Sequence, residues 1–178
     1  MLRAALPCFA LLLSGCLSDQ PGTTNPKEPG DLLGTYQVDG SLATSTCGAG
    51  ALGSSSSWDF EVKLTRFEHD IYWLNGQEAL VGDIASDGRT FSITTDVDVK
   101  VSDPMGAKRG CTVVRHDDAE GKLSAAGTDV KSFDGTLSFS YDALAGSDCT
   151  EWVGTEGAVE LLPCSMSYDI AGERSAEK

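Results

Sequence analysis

Three things are scarce in this sequence. Basic residues are the first, with 13 Lys and Arg against 27 Asp and Glu and a net charge of -14. Such a chain repels a phosphate backbone, which proteins hold by displacing counterions with Lys and Arg, so nucleic acid is excluded as a partner. Helical periodicity is the second. Beyond residue 30 no stretch keeps an apolar face at a spacing of three to four residues for three turns, which argues against a helical bundle. The third is catalytic vocabulary. Gly-x-Ser-x-Gly, His-Glu-x-x-His, Gly-x4-Gly-Lys and a helix-opening Gly-x-Gly-x-x-Gly are all missing, and with them the hydrolase, zinc-protease and nucleotide signatures that spacing alone reveals. Only His69 and His116 are available as bases near neutral pH, and each is followed by Asp. Neighbours along a strand point to opposite faces, so neither His-Asp pair is a dyad by itself, and both read as solvated turn residues. Asp96 and Asp98 share a strand face but read as solvated surface rather than a calcium site. No enzyme, cofactor or metal is expected.

What is present begins with a 40% apolar fraction over 178 residues, enough for one domain with an ordinary core. Residues 1–15 carry one positive charge at Arg3, an apolar stretch over 4–13 and small residues after it. That order is the order of a secretory signal, and the stretch is too short for a stable membrane span. Leu13-Ser14-Gly15-Cys16 resembles the lipobox of bacterial lipoproteins. The resemblance implies cleavage before Cys16 by signal peptidase II, a diacylglycerol on the Cys16 thiol and acylation of the new amino group. Two or three acyl chains make such an anchor stable where one is marginal. In that family an Asp directly after the lipidated Cys favours the inner membrane. Leu17 and Ser18 stand there instead, which implies the outer membrane in a Gram-negative host. Removing residues 1–15 takes only Arg3 from the 13 basic residues and leaves 12 against 27 acids. Residues 16–30, rich in Pro, Gly, Thr and Asn, read as the lipidated Cys and a tether.

From residue 31 to 178 the dominant signal has a period of two, the mark of one all-β domain. Tyr36, Val38 and Leu42 share a face, as do Trp58, Phe60, Val62 and Leu64, then Phe91, Ile93, Thr95, Val97, Val99 and Val101, then Phe133, Leu137, Phe139 and Tyr141. The third run exceeds ordinary strand length and calls for curvature or a bulge. Less regular strands are expected at 71–74, 80–85, 111–117, 121–125 and 159–170, the last with a bulge or break at Leu162-Pro163 because proline cannot donate to a ladder. Gly40, Gly82, Gly121 and Gly135 each precede an aliphatic residue by two and so lie on the apolar face. Gly135 reads as relief of crowding in a coiled sheet and Gly121 as hairpin chemistry. Eight to nine strands with short links predict an antiparallel meander closed, or nearly closed, into a small barrel, with a two-sheet sandwich as the competing arrangement. Gly34-Thr35-Tyr36 resembles the Gly-x-Trp opening of lipocalins, with Tyr for Trp, and implies the same barrel architecture. An acyl anchor, uneven strand lengths and missing aromatic girdles argue against a transmembrane barrel.

Of six Cys, Cys8 leaves with the signal and Cys16 is acylated, so Cys47, Cys111, Cys149 and Cys164 remain for two disulfides in an oxidising compartment. Alternating strand direction puts Cys47 and Cys111 at one pole and suggests Cys47–Cys111 with Cys149–Cys164. Residues 47–57 form a long loop, a flap over one barrel end. Lys108-Arg109 is the one adjacent basic pair and a point of contact for an anionic partner or simply exposed. Tyr36, Trp58, Phe60, Phe91, Phe133, Phe139 and Tyr141 face inward and either line a cavity or fill it. The expected function is a non-enzymatic binding or interaction module anchored in the cell envelope, for a small apolar ligand. The alternative is a structural envelope protein meeting other proteins or polysaccharide through its loops.

Overall fold

The computed structural model describes residues 30–49, 51, 56–76, 79–154 and 157–176. Within them run eight strands: β1 (Asp31–Ser45), β2 (Ser57–Phe67), β3 (Asp70–Leu74), β4 (Ala79–Ile84), β5 (Thr90–Ser102), β6 (Cys111–Leu123), β7 (Ser132–Ala143) and β8 (Cys164–Arg174). Each pairs antiparallel with the next, and β8 returns to β1, so the sheet closes into a barrel and not a sandwich. Alternation explains the closure. In β1 the inward Gly34, Tyr36, Val38 and Gly40 are buried, whereas Gln37, Asp39 and Ser41 between them are exposed. Wrapping such a sheet on itself removes the apolar face from water.

Up-and-down order gives the barrel two unlike poles. At the first, where β1 begins, Tyr36, Phe91, Phe133, Leu64, Ile71 and Leu123 are fully buried. Phe133 is the hub, edge-on to Tyr36 at 5.4 Å, Trp73 at 5.8 Å and Phe91 at 5.9 Å. Each such pair adds about 0.5–1.5 kcal/mol beyond area burial. The Tyr36 hydroxyl lies 3.1 Å from the carbonyls of Leu33 and of Val130, and so ties β1 to the β6–β7 connection. Burial pushes the Tyr36 phenol up to about 12, against the pull of Arg174.

Close approach explains the inward glycines. A Cβ on Gly135 would run into the Glu120 carbonyl, and one on Gly121 would stand 2.5 Å from the Phe91 ring. The two glycines are register partners, so β6 and β7 come together where neither has a side chain. Gly121 is therefore a packing residue inside β6 and not hairpin chemistry. Three further expectations are corrected or sharpened. Residues 111–117 and 121–125 are not two strands: β6 runs unbroken from Cys111 to Leu123. β5 bears its irregularity at the far end, between Lys100 and Ser102. β8 starts only at Cys164, just after Pro163, so the Leu162-Pro163 step is a break.

The second pole carries all four cysteines, joined as Cys47–Cys164 and Cys111–Cys149. This overturns the Cys47–Cys111 and Cys149–Cys164 pairing. Strand direction places all four at the same pole and cannot choose among them, whereas adjacency can. β1 lies beside β8, which brings Cys47 to Cys164, and β6 lies beside β7, which brings Cys111 to the connection that holds Cys149.

Candidate binding site

Beside the packed aromatic hub, on the side of β2 to β7, lies a half-open cavity of about 370 Å³, within the size range of small-molecule sites. One wall is aromatic. Trp58 and Phe60 of β2 stack at 4.6 Å, and Trp73 of β3 stands 6.1 Å from Phe60. Gly40 makes room for this wall, since a Cβ there would sit 2.6 Å from the Trp58 indole nitrogen. That N–H is buried with no acceptor among the described residues. Leu80 of β4, Ile93 and Thr95 of β5, Asn75, and Leu137 and Phe139 of β7 complete the lining with three residues of β6.

The β6 residues are Arg115, Asp117 and Ala119. Odd-numbered positions of β6 point inward, as the burial of Val113, Ala119 and Leu123 shows, so an arginine and an aspartate project into the barrel. They meet in a two-pronged ion pair: Arg115 Nε donates to Asp117 Oδ1 and an Nη of Arg115 to Asp117 Oδ2, both at 2.6 Å. The guanidinium also lies over the Phe139 ring, 5.6 Å from its centroid, a favourable placement for a cation. Hydrogen bonding to Asp117 holds the guanidinium above its ordinary range, against the cost of partial burial. Burial also raises the phenol of Tyr141, the β7 register partner of Arg115, while Arg115 lowers it. A guanidinium has five N–H donors, of which Asp117 takes two. Among the described residues the other three have no protein acceptor.

The seam between β4 and β5 explains where this space meets solvent. Among the described residues those strands pair at two positions, Asp83 with Ser92 and Ile84 with Phe91. Beyond that point β5 continues from Ile93 to Ser102, and the described residues that pair with it there belong to β6. Leu80 on one side of the seam and Thr95 on the other both line the cavity, so the parted wall adjoins it. At the cysteine pole the loops are knit together instead: Glu160 N–H donates to the Cys47 carbonyl at 2.7 Å and Asp148 N–H to that of Gly110 at 3.1 Å.

Of the seven aromatic residues expected to line or fill the interior, the structure divides the set. Trp58, Phe60 and Phe139 line the cavity, whereas Tyr36, Phe91, Phe133 and Tyr141 are buried and fill the barrel. Sequence alternation missed Trp73, Leu80, Arg115 and Asp117. A Trp at an odd position of a short strand was the available signal for the first, and none marked a charged pair as inward. Cys16 lies outside the described residues, as do residues 50 and 52–55 of the 47–57 loop. Cys47, Cys111, Cys149 and Cys164 are all in disulfides.

The titratable groups outside the cavity serve the surface. His69 sits in the β2–β3 turn as expected, but His116 is not in a turn. It lies in the middle of β6 on the outer face and pairs across strands with Asp96, Nδ1 to Oδ1 at 2.5 Å. Ser140 is its register partner on β7, which aligns acid, base and hydroxyl in one row. No hydrogen bond links His116 to Ser140 among the described residues, and in a closed sheet the flanking strand amides are spent on the ladder. Lys108 is taken by Glu151 at 2.5 Å and Arg109 Nη1 donates to the Gly146 carbonyl at 3.4 Å. That basic pair thus pins the β5–β6 loop to the β7–β8 loop. Among the described residues no group of three or more His, Cys, Asp and Glu could hold a metal ion. No family, curated protein or solved structure matches this chain.

Proposed function

We propose that this chain is an envelope lipoprotein, anchored through acylated Cys16, whose barrel binds a small and mostly apolar molecule without transforming it. The half-open cavity of about 370 Å³ walled by Trp58, Phe60, Trp73 and Phe139 is the observation that carries the reading. Apolar transfer out of water is worth ~25 cal/mol per Å² of surface removed, and stacked aromatic rings supply such surface at fixed positions. A barrel meant only as a structural block would gain more by filling this space, because unfilled volume costs packing contacts. The two disulfides and the Lys108–Glu151 bridge tie loops together around one pole.

Two measurements on the full chain made in its own host test the two halves of the proposal. Native mass spectrometry should find a copurifying small molecule that Trp58→Ala removes. A guest-free chain that also takes up no apolar probe would defeat the binding half and favour the structural alternative. Cys16→Ser should abolish lipid labelling and release the protein from membranes, and labelling that persists would refute the anchor.

A further inference from the structure

The aromatic wall says that a guest is apolar, and the opposite wall says what else it carries. Arg115 and Asp117 neutralise each other through two hydrogen bonds, so together they present no net charge to the cavity. Their hydrogen-bonding capacity is lopsided, however. Three N–H groups of Arg115 have no protein acceptor among the described residues, while Asp117, with one donor on each oxygen, keeps about two lone-pair sites. The fork is held rigid from two directions, by the carboxylate and by the Phe139 face. A donor fixed in advance gives up little freedom when it bonds a guest, which is the condition for a specific polar contact in an apolar site.

We infer that the cavity selects a neutral, planar, largely apolar molecule bearing one hydroxyl or carbonyl oxygen, which is recognised by the N–H groups of Arg115 that no described residue accepts. This rests on the reading of the cavity as a binding site. An anion is disfavoured on two grounds. Asp117 already supplies the one negative charge that Arg115 can neutralise, so a second would enter the aromatic cavity uncompensated. The chain as a whole carries -14, which repels anions at long range. A guest with no oxygen is also disfavoured, because it would cover the three N–H groups and strip their water without replacing it. Space is adequate: about 370 Å³ is the share of roughly twelve waters at ~30 Å³ each, room for two fused rings.

Naphthalene, naphthol and naphthoate form a matched series for the test, measured at neutral pH by equilibrium dialysis against the full chain. Naphthol should bind about tenfold tighter than naphthalene, with naphthoate weakest. The order is diagnostic, because a hydroxyl costs transfer free energy and a purely apolar pocket would rank naphthalene first. Arg115→Met combined with Asp117→Leu removes both charges at once, which cores tolerate better than the loss of one partner. It should invert the naphthol preference while naphthalene still binds. Naphthalene or naphthoate binding tightest to the unaltered chain would overturn the inference and leave the cavity reading intact, as would a naphthol preference that survives the double change. Failure of all three to bind would overturn both. The ranking on the unaltered chain is decisive even if the double variant does not fold.

Discussion

Asp96 and His116 face each other across β5 and β6 on the outside of the barrel, and their pairing ties one surface interaction to pH. The hydrogen bond to Asp96 is the main cause that raises the His116 imidazole above its ordinary 6.5; desolvation opposes it, and the charges of Asp96, Asp118 and Asp117 add to the rise. Folding therefore favours the protonated ring. The stabilisation is fully present below pH 6.5, where the ring is charged in both folded and unfolded chains, and disappears as pH rises through the higher folded value. His116 is exposed, so the effect on overall stability is small and best read at the residue itself. In a proton NMR titration the His116 ring should change protonation above 6.5, and Asp96→Asn should bring it back toward that value. A ring that titrates at 6.5 or lower in the unaltered chain would show that the cross-strand bond does not form in solution.

At the scale of elements, β5 is the unusual member. Its alternation is clear because Phe91 and Ile93 are buried, yet from Thr94 onward it pairs on one side only among the described residues. Backbone groups of alternate residues in an antiparallel strand point to opposite sides. The Thr90 carbonyl faces β4, accepting from Ala85 N–H, so the amides of Thr94, Asp96 and Asp98 face the open seam and those of Thr95, Val97 and Val99 face β6. Hydrogen exchange should accordingly be fast at the first three and slow at the second three. Uniform protection would mean that β4 and β5 zip together and close the cavity from that side. The same elements show what the sequence discloses and what it does not. Strands with one buried face, β1, β2, β5 and β7, were readable because alternation is the direct imprint of that face. β6 is divided at 118–120 because the charged run Asp117-Asp118 and Glu120 before Gly121 reads as a turn, and Arg115 and Asp117 within the first piece carry no apolar signal that marks them as inward. The reading thus failed at the polar wall of the candidate site, where local rules and function part company. The aromatic wall was half legible: Trp58, Phe60 and Phe139 follow the period, but parity alone does not separate residues that line a space from Tyr36, Phe91 and Phe133, which pack beside it.

For the molecule as a whole, closure of the barrel decides which cysteines meet, and the two disulfides constrain the unfolded chain unequally. Cys47–Cys164 spans 117 residues and ties the first hairpin to the last strand, while Cys111–Cys149 spans 38. In the chain-entropy account a cross-link stabilises by lowering the entropy of the unfolded state, by about 5 kcal/mol for the longer loop and about 4 kcal/mol for the shorter, both as ceilings. All four cysteines are buried, so replacement by Ala leaves comparable packing losses at each pair and the difference in loop length remains. Cys47→Ala with Cys164→Ala should therefore cost about 1 kcal/mol more than Cys111→Ala with Cys149→Ala when the two are compared by urea denaturation. Peptide mapping of the oxidised chain should recover the same two pairs. An inverse order of stability would mean that the shorter link does more than restrict the chain, because Cys111–Cys149 joins the strand that carries Arg115 and Asp117 to the loop that Lys108 pins through Glu151. In that event the loss should appear in the cavity as well, as weaker binding of an apolar probe by the Cys111→Ala, Cys149→Ala chain than by the Cys47→Ala, Cys164→Ala chain.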